Sequence, residues 1–253
     1  MFDTVGVVLS VSTSQLRELA DRVKPVVLAR ENVLSISGPL AAVVPDGSLR
    51  RGSTLTIAGS GATSVALELV SGASRAGSWT ALVGLHDVAP VAVLEAGLNP
   101  ERVAFINPGQ SARHADVIAA LVGAVDLIMV DARLSLRQQE IRRLGARLRE
   151  CGSVMVVVMP GTDPLTLRCT GEIGSAWTAD VALMVEAASW QGPDRGHGHV
   201  QSRRISIETL GRGRAAGGRR HVFEFPSGEG TIVSGDPAID ASDAVATVLP
   251  FVR

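Results

Sequence analysis

The sequence predicts an α/β domain built on a mostly parallel central sheet, with helices on both faces and an antiparallel hairpin at its C-terminal end. Three observations lead there. Leu127–Val130 and Val154–Met159 are continuous Val/Met-rich runs bounded by polar residues, the pattern of strands buried on both faces of a parallel sheet. Between them, Gln138–Arg149 has a helical stripe of Ile141, Leu144 and Leu148, with Arg142, Arg143, Arg147 and Arg149 off that stripe. Towards the C-terminus, Val181–Val185, Arg204–Glu208 and His221–Phe225 read as strands without intervening helices. Alternating β and α elements followed by a hairpin-rich end give this layered architecture.

The remaining elements follow in chain order. Leu16, Leu19, Ala20 and Val23 recur at helical spacing, and Pro25 limits that helix. Asp46-Gly47-Ser48 marks a turn before a strand at Leu55–Ala58, and Ser64–Ser71 reads as a helix. Thr80–Val83 and Val103–Asn107 are short strands, separated by a helix near Pro90–Ala96. Ala115–Val122 is again helical. Gln191–His199 and Gly211–Arg220 are Gly/Arg-rich connections, and Asp236–Asp243 is acidic and weakly patterned. The expected division is an N-terminal helical segment over 1–48, the main domain over 49–235 and a tail over 236–253.

Bulk composition narrows the function classes. In 253 residues, 46% hydrophobic and 19% charged side chains supply a core for one large domain rather than a disordered chain. No apolar run approaches the length of a membrane span, and the first residues show no basic region followed by an apolar stretch. Cys151 and Cys169 form no C-x-x-C pair and read as reduced thiols. A cytoplasmic location is therefore expected. A net charge of −1 does not announce a nucleic-acid binder. Lys24 is the sole lysine, so nearly all positive charge is arginine.

That bias bears directly on one motif. Leu55-Thr-Ile-Ala-Gly-Ser-Gly-Ala-Thr-Ser64 is a strand, a glycine turn and a helix start, the layout in which backbone amides and a helix N-terminus cradle phosphate. The full motif is G-x-x-x-x-G-K-[ST]. Here only Ser60 separates Gly59 from Gly61, and Ala62 stands in the lysine position. The set Gly59, Ser60, Gly61, Ala62, Thr63 and Ser64 thus reads as a degenerate phosphate loop, the alternative being an ordinary βα turn. A charge-assisted hydrogen bond contributes about 1.5–3 kcal/mol, so losing the ammonium alone weakens nucleotide binding substantially.

From about Leu49 to Gly230 the chain resembles the RecA core. Leu49-Arg-Arg-Gly-Ser-Thr-Leu-Thr-Ile-Ala-Gly is similar to that family's lead into its phosphate loop, and Val125-Asp-Leu-Ile-Met-Val-Asp131 to its second nucleotide motif. The resemblance makes Asp131 a vestigial Mg²⁺ ligand; a helix-capping aspartate is the alternative. RecA's catalytic glutamate is replaced by Leu85-His86-Asp87, and Pro160-Gly161 stands where its sensor glutamine would be. There is little room for RecA's DNA-contacting loops. The resemblance therefore implies a pseudo-ATPase without cofactor.

Trp190-Gln-Gly-Pro-Asp-Arg-Gly-His-Gly-His199, Arg203-Arg204, Gly211-Arg-Gly-Arg214 and Arg219-Arg220 resemble the actinobacterial ImuA-prime group within that superfamily, as does Gly59-Ser-Gly-Ala-Thr-Ser-Val-Ala-Leu-Glu-Leu69. This implies an accessory factor of the DNA-damage-inducible mutasome, supporting error-prone translesion synthesis with ImuB, an inactive Y-family polymerase relative. RecA and the error-prone C-family polymerase are further implied contacts. An inhibitor of the SulA type and a weak atypical ATPase are the alternatives.

Arg203, Arg204, Arg212, Arg214, Arg219 and Arg220, opposed by Glu208, suggest a basic ribbon able to meet phosphates or an acidic protein. Weak non-specific DNA binding would follow, and a solvated hairpin is the bland alternative. Trp190 beside arginines adds an interface candidate. His197 and His199 lack further ligands at metal-site spacing, and His86-Asp87 lacks a nucleophile, so neither a metal centre nor a catalytic residue is expected.

Overall fold

The computed structural model describes residues 32–109, 113–161, 179–191, 202–211 and 219–225. The expected helix over 14–24, His197, His199, Arg212, Arg214 and the acidic tail lie outside the described residues.

A short hairpin of β1 (Val33–Ser35) and β2 (Ser48–Arg50) leads into β3 (Thr54–Gly59), every residue of which is buried. The order continues with α1 (Ala62–Arg75), β4 (Thr80–Val83), α2 (Pro90–Glu95), β5 (Val103–Ile106), α3 (His114–Leu121) and β6 (Leu127–Asp131). It ends with α4 (Gln138–Cys151), β7 (Val154–Pro160), β8 (Val181–Gln191), β9 (Ser202–Gly211) and β10 (Arg219–Phe225). The strands of the main sheet lie in the order β10-β9-β8-β3-β7-β6-β4-β5. From β8 to β5 every pairing is parallel, whereas β9 and β10 run antiparallel to their neighbours. The predicted mixed sheet with a C-terminal hairpin is what the chain forms.

The apolar strands are continuous because both faces are covered. On one face Leu55, Ile57, Val156 and Leu183 pack with Val65, Leu69 and Val70 of α1 and with Val93 of α2. On the other, Ile128, Val130, Met155 and Val157 pack with Ile118 of α3 and with Ile141, Leu144 and Leu148 of α4. Each such fully buried aliphatic side chain contributes roughly 1.5–3 kcal/mol. Gly59 sets a close approach: its φ is +107°, and a Cβ there would run into the Val185 carbonyl oxygen.

One expected boundary moves. Leu34, Ile36, Leu40, Val43 and Val44 belong to the same core as α1, and Thr209 Oγ1 donates to the Val43 carbonyl at 2.7 Å. A division after residue 48 would therefore split the β1–β2 hairpin and strip one face of β9. The predicted turn at 46–48 forms as a 3₁₀ turn, Pro45–Gly47, immediately before β2. Among the described residues, no helix is long and apolar enough to cross a membrane.

Candidate functional site

In open α/β sheets, ligands bind beyond the carboxyl ends of the strands where the connections diverge. Here that edge is formed by Gly59 of β3, the Gly84 end of β4, Asp131 of β6 and Pro160 of β7. The β3–α1 turn, with Gly59, Ser60, Gly61, Ala62, Thr63 and Ser64, and Asp131 thus occupy the same edge of the sheet.

The βα connection at β3 is short. Only Ser60 and Gly61 separate β3 from α1, and Gly61 is the N-cap in the left-handed region, with φ +86° and no side-chain cap. Thr63 and Ser64 already lie in the first helical turn, and Ala62 is fully buried. A two-residue turn offers few amides to a phosphate chain. A cation lies beside the turn: a Cβ on Gly61 would lie 2.7 Å from Arg203 Nη1. Arg203 comes from β9, and burial pushes its pKa below the ordinary guanidinium value, with the nearby Glu68 carboxylate acting in the opposite sense.

At β6 the protein supplies a cation of its own. Asp131 is only 2% exposed, and Arg133, two residues on, turns back over it. Asp131 Oδ1 accepts from the Arg133 backbone N–H at 2.8 Å and from Nε at 3.0 Å. Oδ2 accepts from Nε at 2.9 Å and from Nη2 at 2.6 Å. Nη2 also reaches Asp87 Oδ2 at 3.2 Å. These carboxylates raise the Arg133 pKa, the Asp131 hydrogen bond being the largest cause. Each Asp131 oxygen is therefore engaged by a group that is positive at every accessible pH.

A divalent cation placed about 4 Å from this guanidinium meets repulsion of roughly 2 kcal/mol in a water-like medium and roughly 8 kcal/mol at an effective dielectric near 20. Metal binding at Asp131 would require Arg133 to leave. The neighbouring residues brace the clamp: Ala132 N–H donates to the Val158 carbonyl at 2.9 Å, and a Cβ on Gly84 would meet Leu134 Cδ2 at 2.9 Å. Residues 132–134 thus lie across the ends of β4, β6 and β7. The helix-cap reading of Asp131 finds no support, since α4 starts only at Gln138, with Glu140 accepting from the Arg137 N–H. Arg133 was not among the sequence candidates; its signal was the Asp-x-Arg spacing directly after a buried strand.

Among the described side chains of the predicted arginine ribbon, Arg203 does not share a face with Arg204 and Arg220. Successive strand residues point to opposite faces, so Arg203 and Arg204 diverge. Arg203 lies on the α1 side, whereas Arg204 is exposed on the other face. Arg220 shares that second face but is drawn to Glu186 at 2.6 Å and lies 4.0 Å from Glu208. Trp190 and Arg203 are register partners, and Arg219 is paired with Thr209. Glu208 therefore neutralises part of the row that its sequence position only opposed. Among the described residues, no group of three or more His, Cys, Asp or Glu side chains is placed to hold a metal ion.

The MT3502 N-terminal domain family matches residues 42–163. That stretch includes both the glycine turn and Asp131. No curated protein matches the chain. Among solved structures, the chain is similar to the RadB recombinase, with a TM-score of 0.53 and 17% identity over 75% of this chain and 94% of that one. At that identity the likeness is one of fold. The chain has a RecA-like fold.

Proposed function

We propose that this chain is a RecA-like scaffold that works without ATP, an adaptor whose output is protein contact. The observation that carries this reading is the Arg133 guanidinium on both oxygens of Asp131, where an ATPase would hold Mg²⁺. Arg203 over Gly61 and the two-residue turn support it from the phosphate side. With the nucleotide edge filled by its own side chains, any assembly has to rest on constitutive contacts rather than on a hydrolysis cycle.

The ImuA-prime resemblance supplies the finer reading. On it, the chain is an accessory factor of the damage-inducible mutasome and meets ImuB, with RecA and the error-prone C-family polymerase as further candidate partners. The fold likeness to a recombinase is compatible with work near DNA but does not choose among these partners.

The test is capture of purified ImuB by the full chain. Arg204 is the exposed arginine of the pair and can be reversed without disturbing Gly61. A Trp190→Ala/Arg204→Glu variant that keeps the wild-type circular dichroism should lose ImuB. Undiminished binding would remove the C-terminal sheet from consideration as the partner surface, and no binding by the wild-type chain would remove ImuB itself.

A further inference from the structure

Among the described residues, the exposed large hydrophobic side chains all lie in one βαβ unit: Trp79 before β4, Val91 and Leu94 on α2, and Phe105 on β5. They are between 44% and 56% exposed. Apolar residues exposed singly are ordinary, but a group of them flanking one strand marks an interface. β5 ends the parallel side of the sheet and pairs, among the described residues, only with β4. It carries none of the devices that protect an edge strand: Val103-Ala-Phe-Ile106 has no charge, no proline and no bulge.

The direction of its backbone groups follows from the Gly84 N–H, which donates to the Ile106 carbonyl at 2.9 Å. Alternate residues of a strand hydrogen-bond on the same side. Ala104 and Ile106 therefore serve β4, and the N–H and C=O groups of Val103 and Phe105 face the open edge. Val103 packs against the core that holds Val93 of α2. Phe105, two residues on, thus emerges on the α2 face of the sheet, where Val91 and Leu94 are exposed one helical turn apart. Arg102, just before β5, lies over the Trp79 ring at 5.8 Å and donates to the Gly77 carbonyl at 2.9 Å.

We infer that β5 pairs antiparallel with β5 of a second copy of this chain, about a two-fold axis through Ala104. The edge is complementary to itself in that register. Val103 of one copy and Phe105 of the other exchange both backbone hydrogen bonds, and the reverse pair does the same. The two Ala104 residues then face each other in the narrow, non-hydrogen-bonded position, where Cα atoms are about 4.5 Å apart and a small side chain fits. Each Phe105 lies opposite a Val103, an aromatic and β-branched pair that stabilises neighbouring strands. Arg102 falls opposite Ile106 and Glu101 opposite Asn107, so no like charges meet across the axis. A two-fold contact requires this self-complementarity, and a strand from an unrelated protein gives no reason for it. The strand and helix involved are short, so the dimer is a weak one that dissociates at about micromolar concentration. β10 closes the opposite end of the sheet, so the dimer carries its C-terminal hairpins at its two ends, and an adaptor of this form is bivalent. The inference is independent of the nucleotide edge and of ImuB.

Sedimentation velocity of the full chain over about 1–200 µM should show a monomer–dimer equilibrium. Phe105→Lys and Leu94→Glu alter exposed side chains, and each should raise the dissociation constant about tenfold or more with the circular dichroism unchanged. Arg143→Glu, on α4, should dimerise as wild type does. With Cys151 and Cys169 replaced by Ser, Ala104→Cys should give a disulfide-linked dimer on mild oxidation. Asn107→Cys, about 20 Å from its own counterpart in this register, should not. A chain that stays monomeric throughout, a dimer indifferent to Phe105→Lys and Leu94→Glu, or linking through Asn107→Cys but not Ala104→Cys would overturn the inference. So would open-ended oligomers lost on Phe105→Lys, which would make the edge contact head-to-tail. Dimerisation strengthened by Val7→Asp/Leu9→Asp would assign the edge to the chain's own apolar run Val5–Val11 and equally overturn it.

Discussion

Replacing Arg133 by Ala isolates the clamp on Asp131. The substitution removes three guanidinium contacts of 2.6–3.0 Å and leaves the backbone N–H of residue 133 on Oδ1 at 2.8 Å. Stripping one partner from a fully buried ion pair costs about 3–5 kcal/mol, whereas exposed pairs are worth under about 1 kcal/mol. This pair is intermediate, because the Asp131 side chain is 2% exposed and that of Arg133 is 61% exposed. Water can reach the vacated side, so the expected loss is about 2 kcal/mol, or roughly 4–8 °C in Tm for a domain of this size. Urea unfolding of R133A, D131N and the double variant measures it. The double-mutant cycle should return a coupling of about 1–2 kcal/mol. A loss below about 0.5 kcal/mol with no coupling would show that the clamp does not hold in solution, and with it would go the reason for calling the Asp131 site filled.

Other perturbations test different parts of the account. Gly59→Ala should destabilise the protein by about 3 kcal/mol or more in urea unfolding, since a Cβ at positive φ collides with the Val185 carbonyl. Gly145→Ala should raise stability by about 0.5–1 kcal/mol, because the site is mid-helix and a Cβ there meets, among the described residues, only Arg149 Nη1 at 3.8 Å; a loss in urea unfolding would show that the position is packed more tightly than that. DNA binding, measured by fluorescence anisotropy, should be weak, sequence-independent and steeply salt-sensitive, falling on Arg212→Ala/Arg214→Ala; Arg220→Ala should instead cost stability through Glu186. Tight, salt-insensitive binding to single strands would contradict that expectation.

How far the sequence carried depends on the kind of signal. Buried parallel strands announce themselves by composition, so Leu127–Val130 and Val154–Met159 fall within one residue of β6 and β7. The helix after β3 starts two residues earlier than expected, at Ala62, because its N-cap is a left-handed glycine rather than a polar side chain. β8 was read only to Val185, because the register shift between Val185 and Ala187 breaks the alternation while the strand runs on to Gln191. β1 is three residues long, too short for any period to show.

At the candidate site, the turn and Asp131 were legible because spacing and residue type carry them. What fills them was not. Arg133 is local in sequence, but its choice of Asp131 over solvent depends on residues 132–134 lying across three strand ends. Arg203 reaches Gly61 only because β8 places β9 two strands away from β3. A ribbon of arginines read along the chain ignores that strand neighbours face opposite ways, which is why Arg203 and Arg204 part company and why Arg220 finds Glu186.

Isothermal titration of the full chain with Mg-ATP tests the central claim most directly. With Asp131 clamped by Arg133, Gly61 flanked by Arg203 and Ala62 in the lysine position, no binding heat should appear at micromolar nucleotide. R133A should be equally silent, because freeing Asp131 does not lengthen the two-residue turn. Saturable heat in the wild-type chain, lost on Asp131→Ala, would show a working nucleotide site and contradict the account.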